Sequence, residues 1–227
     1  MSIHENTPPV HPADPLTIKK TSDFTITGDG TASNWQQTDW VTIPVRQNLD
    51  NPHATRIKIL YSEKGMYFLF LCEDTKLTST ITEDFGDLYN EDVVEVFLWT
   101  DEKHPIYFEY EVSPLNYELP IIVPNNGRNF FGWRPWKYEG DRKTQHQTSV
   151  QGGKKESNAT VKSWMAEFFI PYTLLSPLNN VPPKSQTKWR ANFYRIDYDD
   201  KKYTTWQWQP TSGSFHEYQK YGTIVFE

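Results

Sequence analysis

The sequence predicts an all-β chain, a single jelly-roll-like β-sandwich of mainly antiparallel strands. Three observations carry that expectation. Short runs of alternating apolar and polar residues, rich in Val, Ile, Phe, Tyr and Trp, recur along the chain. Clusters containing Gly, Pro, Asn or Asp separate them. Only "PYTLLSPL" (171–178) has the pattern of a helix, of one or two turns.

The elements follow in order. Residues 1–15 hold four of the 16 prolines (Pro8, Pro9, Pro12, Pro15) and read as a flexible lead-in, leaving 16–227 as one domain. "FTITG" (24–28) and "WVTIPV" (40–45) read as strands flanking a Gly/Asn/Asp-rich turn. "TRIKILY" (55–61) and "MYFLFLCE" (66–73) form a hairpin across a Glu-Lys-Gly turn. Strands are expected at 92–99 and 106–113, and in "ATVKSWMAEFFIP" (159–171), which Pro171 ends. "TKWRANFYRIDY" (187–198), "KYTTWQWQP" (202–210) and "YGTIVFE" (221–227) complete the set. Trp206 and Trp208 share one strand face, where rings usually bury together. Residues 124–158 form a long excursion rich in Asn, Gly, Trp, Gln and Lys, of the kind that often carries function.

Composition narrows the function. Hydrophobic content is only 37%, but 9 Trp and 13 Tyr supply large buried areas and surfaces on which sugars stack. A net charge of -6 argues against nucleic acid, which requires a clustered basic surface. Cys72, the single cysteine, lies in an apolar run and is expected to pack as a small hydrophobe. The N-terminus lacks a cationic start and an apolar h-region, and no run reaches the ~20 apolar residues of a membrane span. The default compartment is the cytoplasm, with export expected if Met1 is not the native start.

The most informative stretch is "LYNEDVVEVFLWTDEKHPIYFEYEV" (88–112). Side chains alternate across a strand. Val94, Val96 and Leu98, with Phe108, Tyr110 and Val112, therefore define an apolar face. Glu95, Phe97 and Trp99, with Tyr107, Glu109 and Glu111, define the opposite one. If Glu95 pairs opposite Glu111, two like charges lie about 4.5–5.5 Å apart at Cβ. That arrangement requires a cation, an arginine or a hydroxyl-rich ligand between them. Arg190 and Arg195 are the candidates for balancing the charge without a ligand.

In this stretch and beyond it the chain resembles carbohydrate-binding module family 9 and its family 9-like relatives. The resemblance runs from "GDGTASNWQQTDW" (28–40) through "TRIKILYSEKGMYFLFLCED" (55–74), "YNEDVVEVFLWTDE" (89–102) and "YFEYEVSPLN" (107–116). It continues through "SWMAEFFIPYTLL" (163–175) and "WRANFYRIDY" (189–198) to "FHEYQKYGTIVF" (215–226). It implies a non-catalytic β-sandwich, serving polysaccharide utilisation, that clamps a sugar between two rings in a shallow pocket. The first clamp ring falls at Tyr89, the second at Phe215, and the ligand-bonding acid at Glu95. The site face of the strand near 188–195 carries Asn192 and Tyr194. Two features depart from the pattern. Both clamp rings are smaller than the tryptophans of the best-known members, and Glu111 stands where the family has a basic residue. An arginine offers five donors and an ionised carboxylate none. The fold family also includes calcium-holding members. Acids at Asp84, Asp87 and 197–200 are available here, without a dense D-x-D-x-D-G loop.

Two other function classes remain open on the residues. Glu95 and Glu111 could meet the ~5–5.5 Å spacing of a retaining glycoside hydrolase, although no E-x-D-x-x-E strand is present. Exposed aromatics such as Trp133 and Trp136 could instead mark a protein interface. The six histidines are scattered with no i, i+4 pair, against a zinc site, and Met66 and Met165 read as core rather than haem ligands.

Overall fold

The computed structural model describes residues 14–126, 131–199 and 202–227. The expected lead-in, apart from its last two residues, and the acid Asp200 lie outside the described residues.

Among the described residues, strands dominate, with one α-turn (α1, Tyr172–Leu175) where the helix was expected. The strands are β1 (Leu16–Lys20), β2 (Val41–Ile43), β3 (Val45–Gln47), β4 (Thr55–Tyr61), β5 (Gly65–Glu73), β6 (Val93–Trp99) and β7 (Ile106–Val112). They continue with β8 (Glu118–Pro124), β9 (Arg134–Pro135), β10 (Gln145–Gln151), β11 (Ser163–Pro171), β12 (Lys188–Asp197), β13 (Thr204–Gln207) and β14 (Gly222–Phe226). They form one curled sheet, mixed rather than purely antiparallel, that folds over into the two layers of a sandwich.

One layer runs β10-β11-β5-β4, with β2 also on β4. The other runs β14-β12-β6-β7-β8-β9, with β13 and then β3 beside β12. The corner is β1, whose first half pairs with β14 and whose second half pairs with β4, both in parallel.

The main core lies between the layers. From one side it takes Met66, Phe68, Phe70 and Cys72 of β5, and Trp164, Ala166, Phe168 and Ile170 of β11. From the other it takes Val94, Val96 and Leu98 of β6, Phe108, Tyr110 and Val112 of β7, and Phe193 of β12. This is the apolar face that alternation defined. Cys72 and Trp206 are buried in it, and Trp208 packs against it.

The expected strand 24–28 does not form. Its backbone donors bond to side chains instead of to a ladder. Thr27 N and Gly28 N donate to Oε2 of the buried Glu167 at 2.9 and 2.6 Å, and Trp35 Nε1 donates to its Oε1 at 2.8 Å. Gly28 has φ +86°, and a Cβ there would stand 2.8 Å from Gln147 Cβ, so the turn requires glycine. Strands β1, β8 and β10 were not expected. β10 (QHQTSVQ) is a polar edge strand, and β8 carries two prolines, so neither displays the apolar alternation that identifies a strand.

At one end of the core sits the buried Arg195. Its Nη2 reaches Asp74 Oδ2 at 2.9 Å and Asp197 Oδ2 at 2.7 Å, its Nη1 donates to Glu73 O at 2.6 Å, and its guanidinium lies 4.4 Å from the Trp206 ring centroid. Breaking such a buried group by removing one partner costs ~3–5 kcal/mol. Arg195→Met is expected to lower unfolding stability in urea by about that amount at neutral pH. The deficit should narrow in acid as Asp74, which burial pushes up to about 7, protonates.

Candidate functional site

The outer face of β6 and β7 is built by the register that the core imposes. Glu95 pairs opposite Glu111, and Phe97 opposite Glu109. Loops cover this face with a second apolar cluster that includes Leu88, Phe97, Trp99, Tyr107, Tyr194, Tyr218 and Tyr221. The acids are therefore not on open surface: Glu95, Glu109 and Glu111 are 2%, 4% and 0% exposed. Above them opens a cavity of about 800 Å³, within the usual range for small-molecule sites. All three glutamates line it, together with Tyr89, Trp133 and Phe215.

Burial and mutual repulsion set the charge state. Burial pushes the Glu95 carboxyl well above the usual carboxylate range, and the charge of Glu109 adds to it. Glu111 rises likewise, from burial and then from Glu95 and Glu109, and the Tyr89 amide, outside hydrogen-bonding geometry, offsets this only in part. Burial pushes Glu109 up to about 8. The nearest imidazole gives no relief. His216 Nδ1 stands 3.9 Å from Glu109 Oε2 and 2.7 Å from the Tyr107 hydroxyl, but burial pushes His216 down to about 4, so it is neutral at pH 7. Among the described residues, Glu109 Oε2 and both Glu111 oxygens have no hydrogen-bond partner. At neutral pH the floor is thus a set of largely protonated carboxyls that can both donate and accept.

The aromatic walls come from three loops. Tyr89 lies on the short turn before β6, and its ring meets that of Trp133 edge-on, centroids 6.1 Å apart. Trp133 arrives from the long excursion, because β9 folds back on β8 with Ile122 paired to Arg134. Phe215 lies on the loop after β13 and stacks flat on Tyr194, centroids 4.0 Å apart and planes 11° from parallel.

Asn192 and Tyr194, expected to bond a ligand, are fully buried and are not among the residues lining the cavity. They hold the Phe215 loop from beneath. Asn192 Nδ2 donates to Gln209 O at 3.0 Å, and its Oδ1 accepts from Gln209 N at 2.8 Å. The hydroxyls of Tyr194 and Tyr221 both donate to Phe215 O, at 3.0 and 2.9 Å. Gln207 Oε1 accepts from Thr211 N, and the Glu217 carboxylate accepts from Ser212 N and Gly213 N.

The expected charge balance is not what the two arginines provide. Arg195 turns to the opposite face of β12, into the core and onto Asp74 and Asp197. Arg190 shares the site face but sits at its far end, opposite Trp99, with its Nε 3.9 Å from Glu102. Calcium fits the acids near Arg195 poorly. Asp74, Asp197 and Asp199 do converge, with ligand atoms within 4.8 Å of one another. However, the four oxygens of Asp74 and Asp197 already accept from Lys76 N, Trp164 Nε1, Asp199 N and the guanidinium. Arg195 is the cation of that cluster.

The profile of the carbohydrate family 9 binding domain-like family matches residues 26–227. The chain belongs to that family. No curated protein sequence matches it. Among solved structures it is similar to a candidate carbohydrate-binding protein from Bacteroides uniformis, with TM-score 0.78 at 16% identity over 93% of this chain and 98% of that one. It is also similar to a family 9 module from Caldicellulosiruptor kristjanssonii, solved with cellotriose (TM-score 0.66, 15% identity, 93% of each chain) and with glucose (TM-score 0.66, 16% identity, 93% and 95%).

For this family 9 domain, the acid face and the rings Tyr89 and Phe215 were legible in the sequence. Trp133, Tyr198, Tyr203, His216 and Arg46 also line the cavity and were not assigned to it. The aromatic residues and His216 lie in aromatic-rich loops, which was their only signal, and Arg46 lies on the short strand β3.

Two outcomes follow from this geometry. A carboxyl raised on folding contributes stability below its unfolded pKa that is lost as pH climbs through the folded one. Stability should therefore fall as pH rises from about 6.5 to 9. His216, shifted downward, acts only below 6.5. Asp74 and Asp92, both raised by burial, contribute equally in wild type and variant. Glu111→Gln should flatten this slope and raise stability at pH 8 relative to the wild type; urea titrations across pH measure it. Asn192→Ala should cost ~1–3 kcal/mol, because it orphans both backbone groups of Gln209. It should also broaden the NMR signals of the Phe215 loop.

Proposed function

We propose that the chain is a non-catalytic carbohydrate-binding domain that holds a sugar between Tyr89, Trp133 and Phe215, above Glu95 and Glu111. One observation carries this reading: an aromatic-walled cavity of about 800 Å³ whose floor presents buried carboxyl oxygens without partners. Aromatic faces suit the C–H faces of a pyranose. Protonated carboxyls suit its hydroxyls, because each can donate one hydrogen bond and accept others. That removes the difficulty of a glutamate in the family's basic position, since a protonated Glu111 has a donor that its ionised form lacks. The cellotriose and glucose held by the Caldicellulosiruptor module support a saccharide ligand. Its role would lie in polysaccharide utilisation, bringing a degrading system to its substrate.

The hydrolase reading is less well supported by the same chemistry. A retaining glycosidase needs an ionised carboxylate nucleophile beside its acid. Here burial and repulsion raise Glu95 and Glu111 together, with no cation among the described residues beside them to hold either ionised.

A glycan-array screen followed by calorimetry tests the proposal. Phe215→Ala and Glu95→Ala should each weaken the best hit at least about tenfold, ~1.4 kcal/mol, with the circular dichroism spectrum unchanged. Unaltered affinity in Glu95→Ala would place the site elsewhere, and turnover of chromogenic glycosides would return the pair to catalysis.

A further inference from the structure

Resting on the carbohydrate reading of the pocket, we infer that its preferred ligand is an amino sugar, a saccharide bearing a free cationic amine that seats among Glu95, Glu109 and Glu111. The floor gathers three carboxyls within one opposed pair and its neighbouring position, Glu95↔Glu111 and Phe97↔Glu109. Among the described residues, no cation of the protein lies among them. Arg195 is committed on the far face of β12, and Arg190 lies beside Glu102. Arg46 lines the cavity from β3, but it is exposed there and its Nε donates to Gln207 O at 3.4 Å. His216 is neutral above about pH 4.

Three carboxyl oxygens of this floor, Glu109 Oε2 and both of Glu111, are buried without a partner among the described residues. An ammonium group carries three N–H donors and one positive charge. It matches three acceptors and lets carboxyls of the floor ionise without repelling one another, which a neutral hydroxyl cannot do. The walls suit the same group, since Tyr89, Trp133, Tyr198, Tyr203 and Phe215 surround the cavity and aromatic faces attract cations.

A cation seated beside these carboxyls favours their ionised forms, so protons leave the floor as the ligand binds. The balance is simple: the ligand enters as R–NH3+, a carboxyl becomes a carboxylate beside it, and the released proton goes to buffer. A neutral sugar binds without that release.

The experiment compares the glucosamine trisaccharide, its fully N-acetylated counterpart and cellotriose by calorimetry at about pH 6.5, where a sugar amine, ionising near an α-amino group at ~8, is charged. Two buffers of different ionisation enthalpy report proton uptake or release. The expected result is affinity at least about tenfold higher for the glucosamine trisaccharide, with net proton release for it alone. Glu111→Gln should bring the three affinities to within about threefold, and this variant removes a buried acid, so the fold should persist. Equal or tighter binding of cellotriose would overturn the amino-sugar assignment while leaving the carbohydrate reading standing. A preference that survives unchanged in Glu111→Gln would overturn the assignment too. Binding of none of the three would overturn the assignment and the carbohydrate reading together.

Discussion

The site depends on one constraint, the register in which β6 lies between β7 and β12. Val94, Val96 and Leu98 must enter the core between the layers, and the period of two then sends Glu95 and Phe97 to the other side. A slip of β6 by one residue would put Glu95 into the main core and its valines beneath the pocket. The cost of burying acids there is far larger than any gain from looser packing. The register is therefore over-determined, and it aligns Glu95 with Glu111 on one side and with Tyr194 on the other.

The two faces of this layer are buried by different means. The inner face meets the second layer and is apolar except at its end, where Arg195 stands between Asp74 and Asp197 with every partner within hydrogen-bond reach. The outer face is roofed by loops, and among the described residues its acids have no such arginine. One cluster pairs its acids with a buried guanidinium and the other keeps carboxyl oxygens without a partner among the described residues, although both are deeply buried. That contrast distinguishes an ion group that holds the fold from one that costs stability and faces a cavity.

The pocket's rings are held in advance. Phe215 rests flat on Tyr194, its carbonyl takes two tyrosine hydroxyls, and Asn192 clamps Gln209 at the start of the loop. A ring fixed in this way needs little ordering when a ligand arrives, which favours affinity. The same buried residues thus fix the wall of the pocket without lining the cavity.

The sequence by itself determined the strand-rich fold, the split of β6 and β7 into core and acid faces, and the Glu95–Glu111 pairing. These follow from local alternation and from a short connection between adjacent strands, both of which are written in consecutive residues. It also placed the rings Tyr89 and Phe215, through resemblance to the family. It did not determine which face of β12 a given arginine occupies relative to those acids, because the pairing of β12 with β6 is a long-range contact. For the same reason Asn192 and Tyr194, on the acid face by parity, proved to lie under a loop. Only the tertiary structure brought Trp133 and His216 from distant loops to the acid floor, since chain closure sets those distances and no local pattern encodes it.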